Sequence, residues 1–323
     1  MANKYTGIGS KFQIGDETTY GTLPEMDMTL NYLNESLKLE VKKEDEETLL
    51  AGKTINGVNI NGYDVSGDFT VNLKPENLSF FKYFLKEEAA PTMVSTGYYK
   101  HTLTFYNPTD EQPSFSATID RKAKVVAYTG LLASSVSIQG DARSPISVKV
   151  SVKGQGKEVD GTISETLEDP ALESFNAIGG SVSIKGSVIN DITSASIEID
   201  ESLDDGAPTY GSGLYNNKHQ HGRKIAKPTF DCYYNSATSP IREADYKGNT
   251  YIANYIEWVS RSEVSAGNPY KIRFTMPKVS INEASPTVSG KDVIKLTISG
   301  NATSNASTEP LTVEIWDNVA TKY

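Results

Sequence analysis

Apolar and polar residues alternate through much of this chain, the pattern of strands with one buried and one wet face. Tyr63-Asp-Val-Ser-Gly-Asp-Phe-Thr-Val-Asn-Leu73 alternates almost without a break, and Gly67 inside it predicts a bulge or bend. Residues 134–152 read Ser-Ser-Val-Ser-Ile, a turn through Gly140-Asp141, then Ile146-Ser-Val-Lys-Val-Ser-Val. Residues 277–299 repeat the scheme: Pro-Lys-Val-Ser-Ile, a turn through Glu283–Asp292, then Val293-Ile-Lys-Leu-Thr-Ile-Ser. Further strands are predicted at Leu33–Val41, 178–184, 192–200, 228–234, 270–275 and Leu311–Trp316, and a hairpin at Tyr98–Phe105 with Pro113–Ile119. Lys42–Glu47 reads as a charged turn, and residues 1–27, without a sustained period, as an extended arm.

Two short helices are expected. Lys74-Pro75-Glu76-Asn77 suits a helix start, with Pro75 in the first turn and Glu76 favourable to the dipole. Leu78, Phe81 and Leu85 then share a stripe that Phe80 and Phe84 flank. Tyr251–Val259 is read as its counterpart, with Ile252, Ile256 and Val259 on one side.

The order of elements thus occurs twice, and repeats of this kind govern the fold class. The chain is expected to be mainly β. It divides into an arm (1–27), a first β-sandwich or barrel-like unit (28–160) and a second (161–323) carrying the polar loop 202–222, each unit with a short flanking helix. Counterparts lie 161 positions apart at Phe69 and Phe230, and 143 apart at Val136 and Val279. With 323 residues, each unit is long enough to bury its own core.

The formal charge of −10 disfavours ordinary phosphate binding, which needs clustered Lys and Arg. The one cysteine, Cys232, excludes an intrachain disulfide and fits assembly in a reducing cytoplasm. The N-terminus lacks the apolar core of a signal peptide, and no stretch approaches the roughly 18–20 apolar residues of a membrane span. A soluble protein is expected, released, if at all, by a route such as lysis.

Candidate chemistry is sparse. His101 lies in an alternating run and reads as a surface or cross-strand residue. His219 and His221, at i and i+2, face one way on a strand and could hold a metal, but no carboxylate or Cys adjoins them and Lys218 and Arg223 repel a cation. Glu44-Asp-Glu-Glu47 lacks the spacing of a calcium loop and reads as a solvated rim. Asp204 and Asp205 read as turn residues before an acid–base pair, and Cys232 as a small core residue. No nucleophile elbow, phosphate loop or dinucleotide fingerprint is present. No metal, cofactor or catalytic residue is therefore assigned, and the chain is read as a non-enzyme.

Five passages in order give the chain a family resemblance. They are Phe12-Gln-Ile-Gly-Asp-Glu-Thr-Thr-Tyr-Gly-Thr22, Asn34-Glu-Ser-Leu-Lys, the strand-to-helix passage Gly-Asp-Phe-Thr-Val-Asn-Leu-Lys-Pro-Glu-Asn-Leu at 67–78, Asn176-Ala-Ile-Gly-Gly-Ser-Val-Ser-Ile184, and Ile192-Thr-Ser-Ala-Ser-Ile-Glu-Ile. With them the chain resembles the major tail tube proteins of long-tailed bacteriophages.

The resemblance implies a structural virion protein. Its units join edge to edge into a ring lined by a continuous β-barrel, and the rings stack into a tube that holds the tape-measure protein and later conducts DNA without binding it. Tail terminator and baseplate proteins are the other implied partners, and the place of assembly is the host cytoplasm. Two units per chain would give a pseudo-sixfold ring of three chains, expected ahead of a hexamer. Phe80, Phe81, Phe84, Tyr210 and Tyr215 are the candidate assembly contacts; Glu40, Glu44, Asp45, Glu46 and Asp68 are the candidate lumen or rim charges. The arm and the 202–222 loop are expected between stacked rings. The alternative is a carbohydrate-binding or adhesion module that stacks Tyr98, Tyr99, Tyr233 and Tyr234 on sugars; a polysaccharide-cleaving enzyme is a third reading.

Overall fold

A computed structural model describes residues 5–46, 57–211, 213–288, 293–304 and 308–323. The strands, in chain order, are β1 (Phe12–Asp16), β2 (Met28–Thr29), β3 (Tyr32–Glu35), β4 (Lys38–Glu46), β5 (Gly57–Asn72), β6 (Lys86–Glu87), β7 (Thr92–Ser95), β8 (Tyr98–Thr104), β9 (Phe115–Asp120), β10 (Val125–Asp141), β11 (Ser147–Gly154), β12 (Lys157–Asp160), β13 (Ser181–Ile184), β14 (Ser187–Val188), β15 (Ile192–Asp200), β16 (Ile225–Tyr233), β17 (Ile252–Ser265), β18 (Asn268–Thr287), β19 (Lys295–Ala302) and β20 (Thr312–Asp317). Their pairings are antiparallel, and the fold is a β-sandwich.

One layer runs β4–β5–β11–β10–β15–β16–β19–β18. The N-terminal halves of β10 and β18 leave it and build the facing strands: β1–β9–β10–β12, and β13–β17–β18–β20–β8. Between these strands lies one continuous apolar cluster that includes Phe69, Val150, Ile138, Ile197, Phe230 and Ile298. An aromatic chain threads it. Phe12 meets Phe69 at 5.0 Å, Phe69 meets Phe80 at 5.9 Å, and Phe81 reaches Phe274 on β18 at 5.9 Å.

The pairing of the first half recurs in the second, down to its irregularities. β10 slips against β11 between Ala133 and Ser135; β18 slips against β19 between Ile281 and Glu283, 148 positions on (133 to 281). β10 slips against β9 between Tyr128 and Leu131, and β18 against β17 between Met276 and Val279, at the same offset (128 to 276). β3 slips against β5 between Tyr32 and Asn34, and β15 against β16 between Ile192 and Ser194, 160 positions on (32 to 192). A bulge is a specific local bend rather than noise, so three in matching places set the counterparts residue by residue. Phe69, opposite Val150, corresponds to Phe230, opposite Ile298, as expected. Val136, however, corresponds to Ala284, because it faces Val150 as Ala284 faces Ile298; the match with Val279 is corrected.

Other expectations also change. Residues 252–265 form β17, not a helix. Burial there falls on Ile252, Asn254, Ile256, Trp258 and Ser260, a period of two, and β13 and β18 hydrogen-bond it on both sides. Ile252 and Ile256 fit a helical stripe and a strand face equally well, and the ladder partners decide between them. A single helical turn, Ile241–Tyr246, instead follows β16 and packs on β18. The segment Pro75–Tyr83 is 3-10 rather than α. Three residues per turn stack Leu78 on Phe81 and Asn77 on Phe80 and Tyr83, and all five are buried.

Tyr98–Phe105 and Pro113–Ile119 do not form a hairpin: β8 pairs with β20, and β9 with β1 and β10. The N-terminal segment is not simply an arm, since Phe12–Gly15 is buried in β1. Lys42–Glu46 belongs to β4 rather than a turn. Glu47 and part of the 283–292 turn fall outside the described residues.

Candidate functional site

The eight-strand layer turns one face to the core and the other to solvent. On β10 and β11 the core side carries Val136, Ile138, Val148 and Val150, and the outer side Ser135, Ser137, Lys149 and Ser151. On β15, β16 and β19 the outer side continues with Ser196, Glu198, Lys227, Thr229, Ser299 and Asn301. These side chains line a shallow trough of about 490 Å³ across the middle of the sheet.

Charges on this face are matched in place. Lys149 lies 2.9 Å from Asp68 and Lys227 3.4 Å from Glu198. The hydroxyls of Ser194 and Thr297 donate to Asp231 at 2.8 and 2.6 Å. Hydrogen bonding from Ser151, with Lys149 nearby, holds the Asp68 carboxyl below the usual carboxylate range. The face is polar and small-chained, and Lys149 and Lys227 are neutralised where they stand.

The sheet ends on two open edges. Among the described residues β4 has a ladder partner only in β5, and β18 from Ser280 to Thr287 only in β19. The backbone bond from Ser36 N to Asp68 O sets which β4 groups face β5; by alternation Leu37, Leu39 and Val41 point the other way. Of these, the Leu37 carbonyl is already satisfied, accepting from Arg121 Nη2 at 2.5 Å and from the Tyr128 hydroxyl at 3.3 Å.

The candidate residues separate into two groups. Phe80, Phe81 and Phe84 are buried inside the chain and leave no surface for a partner, so their place is the core. Tyr210 is fully exposed; Tyr215 is partly exposed, 5.8 Å from the Tyr63 ring. Glu40, Glu44, Asp45 and Glu46 are exposed along β4, and Asp68 is half-buried on β5. Of the four tyrosines weighed for sugar stacking, Tyr98 is buried with its hydroxyl donating to Pro269 O, and Tyr234 packs on the core. Sequence reading missed the β18 edge. Pro286, lacking an N–H within an alternating run, was the available signal for it.

The histidines do not converge. His219 is buried, its ring nitrogens 3.0 Å from Asp204 O and 3.3 Å from Gly154 O, while His221 reaches Asn107 O at 3.1 Å. Asp204 accepts from the Gly206 and Gln220 amides and so shapes its loop, while Asp205 meets Lys153 at 3.1 Å. Cys232 is buried, its thiol pushed up to about 11 by burial and then by Asp231. Among the described residues no group of three or more His, Cys, Asp or Glu stands where it would hold a metal, and no helix is long and apolar enough to cross a membrane.

A comparison with protein-family models matches residues 7–302 to the family described as "Phage tail tube protein". The chain belongs to the phage tail tube protein family. The match covers both halves of the repeated pairing and both open edges. A tail tube protein is a structural component of the phage virion, and its polar, charge-matched sheet face suits that role. No curated protein matches the chain.

Proposed function

We propose that this tail tube protein closes into a ring of three chains, each supplying two tube units, and that stacked rings form the conduit for phage DNA. The units are residues 28–160 and 161–323, the second carrying the 202–222 loop. The observation that carries this reading is the recurrence of one pairing scheme within a single sheet that stops at two open edges. Unpaired edges invite further strands, and closed cyclic symmetry satisfies every edge without leaving one over.

In this reading the polar face lines the lumen. DNA affinity rises with each phosphate contact, so a wall on which Lys149 and Lys227 are paired to Asp68 and Glu198 favours passage over retention. The exposed Tyr210 and Tyr215, in the 202–222 loop, then lie where successive rings could meet. The tape-measure protein would occupy the same lumen before ejection, and terminator and baseplate proteins would cap the two ends.

Negative-stain microscopy of purified protein tests the proposal. Axial class averages with a sixfold-like hole inside three equal lobes are expected. Six identical lobes would make the ring a hexamer, and a strict monomer at all concentrations would overturn assembly.

A further inference from the structure

The chain contains an internal example of the contact its two edges are built to make. Within the sheet, the C-terminal half of β10 pairs with β15, joining the first half of the chain to the second. By the matched bulges, β18 corresponds to β10 (133 to 281), and β4, which continues the strand begun by β3, corresponds to β15 (32 to 192). The two open strands are therefore the counterparts of two strands already paired in the same molecule.

We infer that Asn282–Thr287 of one copy pairs antiparallel with Ser36–Val41 of the next, in the register that β10 and β15 use. The inference rests on the ring reading and specifies its joint. Val136 faces Ile199, Ser137 faces Glu198 and Ile138 faces Ile197. Transferred, Ala284 faces Leu39, Ser285 faces Lys38, and Pro286 faces Leu37 of the neighbour. Glu283 then faces Glu40, with Lys38 and Lys42 as its diagonal neighbours, within reach of long side chains.

The hydrogen-bond accounting supports this register independently. Glu201 N donates to Ser134 O, and Ala142 N to Thr193 O. By alternation, Ile138 and Ile197 form a hydrogen-bonded pair. At the transferred position Pro286 has no N–H to offer, which would leave the opposite carbonyl short of a donor. That carbonyl belongs to Leu37, the one already held by Arg121 and Tyr128. The missing donor and the satisfied acceptor coincide in this register. The Leu37 amide is itself committed, donating to Glu35 Oε2 at 2.9 Å, so this pair adds no ladder bond and the joint is carried by the pairs around it. A slip of two residues would instead set Pro286 against Leu39 or Glu35.

Cross-linking tests the register. Ser285 and Lys38 fall at a non-hydrogen-bonded pair, where side chains approach closely enough for a disulfide. Ser285→Cys with Lys38→Cys, assembled and oxidised, should give linked dimers and trimers on a reducing-agent-free gel. Ser285→Cys with Ser36→Cys, displaced by two residues, should stay monomeric on the same gel. The buried native Cys232 does not compete. Rings by microscopy with cross-links only from the displaced pair would overturn the register and leave the ring reading standing. Protein that never forms rings, in wild type or variants, would overturn both.

Discussion

The His101 imidazole lies parallel to the Tyr323 ring, with centroids 4.1 Å apart and planes 8° from parallel. Around it Glu87 Oε1 stands 2.8 Å from Nδ1, and Asp317 Oδ1 3.2 Å from Nε2. The Tyr323 amide donates to Glu87 and its hydroxyl to Asp317. Two carboxylates from β6 and β20 thus hold one buried histidine on β8, and Tyr323 closes over it.

This cluster predicts a pH dependence. Burial alone would lower the His101 value, but hydrogen bonds to Asp317 and Glu87 and their charges outweigh it and raise it to about 9. A raised folded value stabilises below the unfolded value of about 6.5 and loses that contribution as pH rises through 9. Urea denaturation should show stability falling between pH 6.5 and 9, by at most about 3 kcal/mol from this group. His101→Gln should be less stable than wild type at pH 6 and nearly equal to it at pH 9.5. An unchanged slope in His101→Gln would refute the assignment.

Glu201 and Lys224 form a buried ion pair at 2.5 Å, with side-chain exposures of 0% and 5%. Burial raises the Glu201 carboxyl, against the pull of Lys224, and burial lowers the Lys224 ammonium. Removing one partner of such a pair costs roughly 3–5 kcal/mol, whereas replacing both with apolar residues is often neutral. Glu201→Ala should therefore lower the denaturation midpoint sharply, and Glu201→Met with Lys224→Leu should restore most of it. A double variant as unstable as the single would show that the pair contributes more than charge balance.

Gly67 has φ +152°, and a Cβ there would lie 2.6 Å from Ser36 O and 2.7 Å from Leu37 Cα. Gly67→Ala should cost more than about 1 kcal/mol by thermal melting and push β3–β4 away from β5. That displacement moves the β4 edge, so in the proposed ring assembly should weaken more than monomer stability does.

Phe69 and Phe230 are 0% and 1% exposed at corresponding positions. Alanine at either should cost about 3–5 kcal/mol. Comparable losses in the two variants, read by chemical denaturation, are expected from matched sites; a loss confined to one would show unequal packing in the two halves.

The chain's own pattern carried a good part of this protein. Period-two alternation located β5, β11, β15 and β19, because side chains in a strand point to opposite faces and only one of these faces is buried. Gly67 stands where the backbone takes φ +152°, which few other residues accept, yet β5 keeps its register with β11 through it, so the bulge expected there does not occur. The absence of converging chemistry and the ordered passages at 12–22, 67–78 and 176–199 pointed to a tail tube protein. Other features needed the third dimension. Whether Ile252 and Ile256 sit on a helix or a strand depends on β13 and β18, which lie about 70 residues before and 20 after them. That β8 pairs with β20 rather than β9, that Lys224 finds Glu201, and that Leu37 O is held by Arg121 are contacts between segments distant in the chain. Alternation specifies which side of a strand is buried. Which strand lies beside it is decided by packing and hydrogen-bond satisfaction across the whole sheet, and these set both its internal joint at β10–β15 and the two edges that stay open.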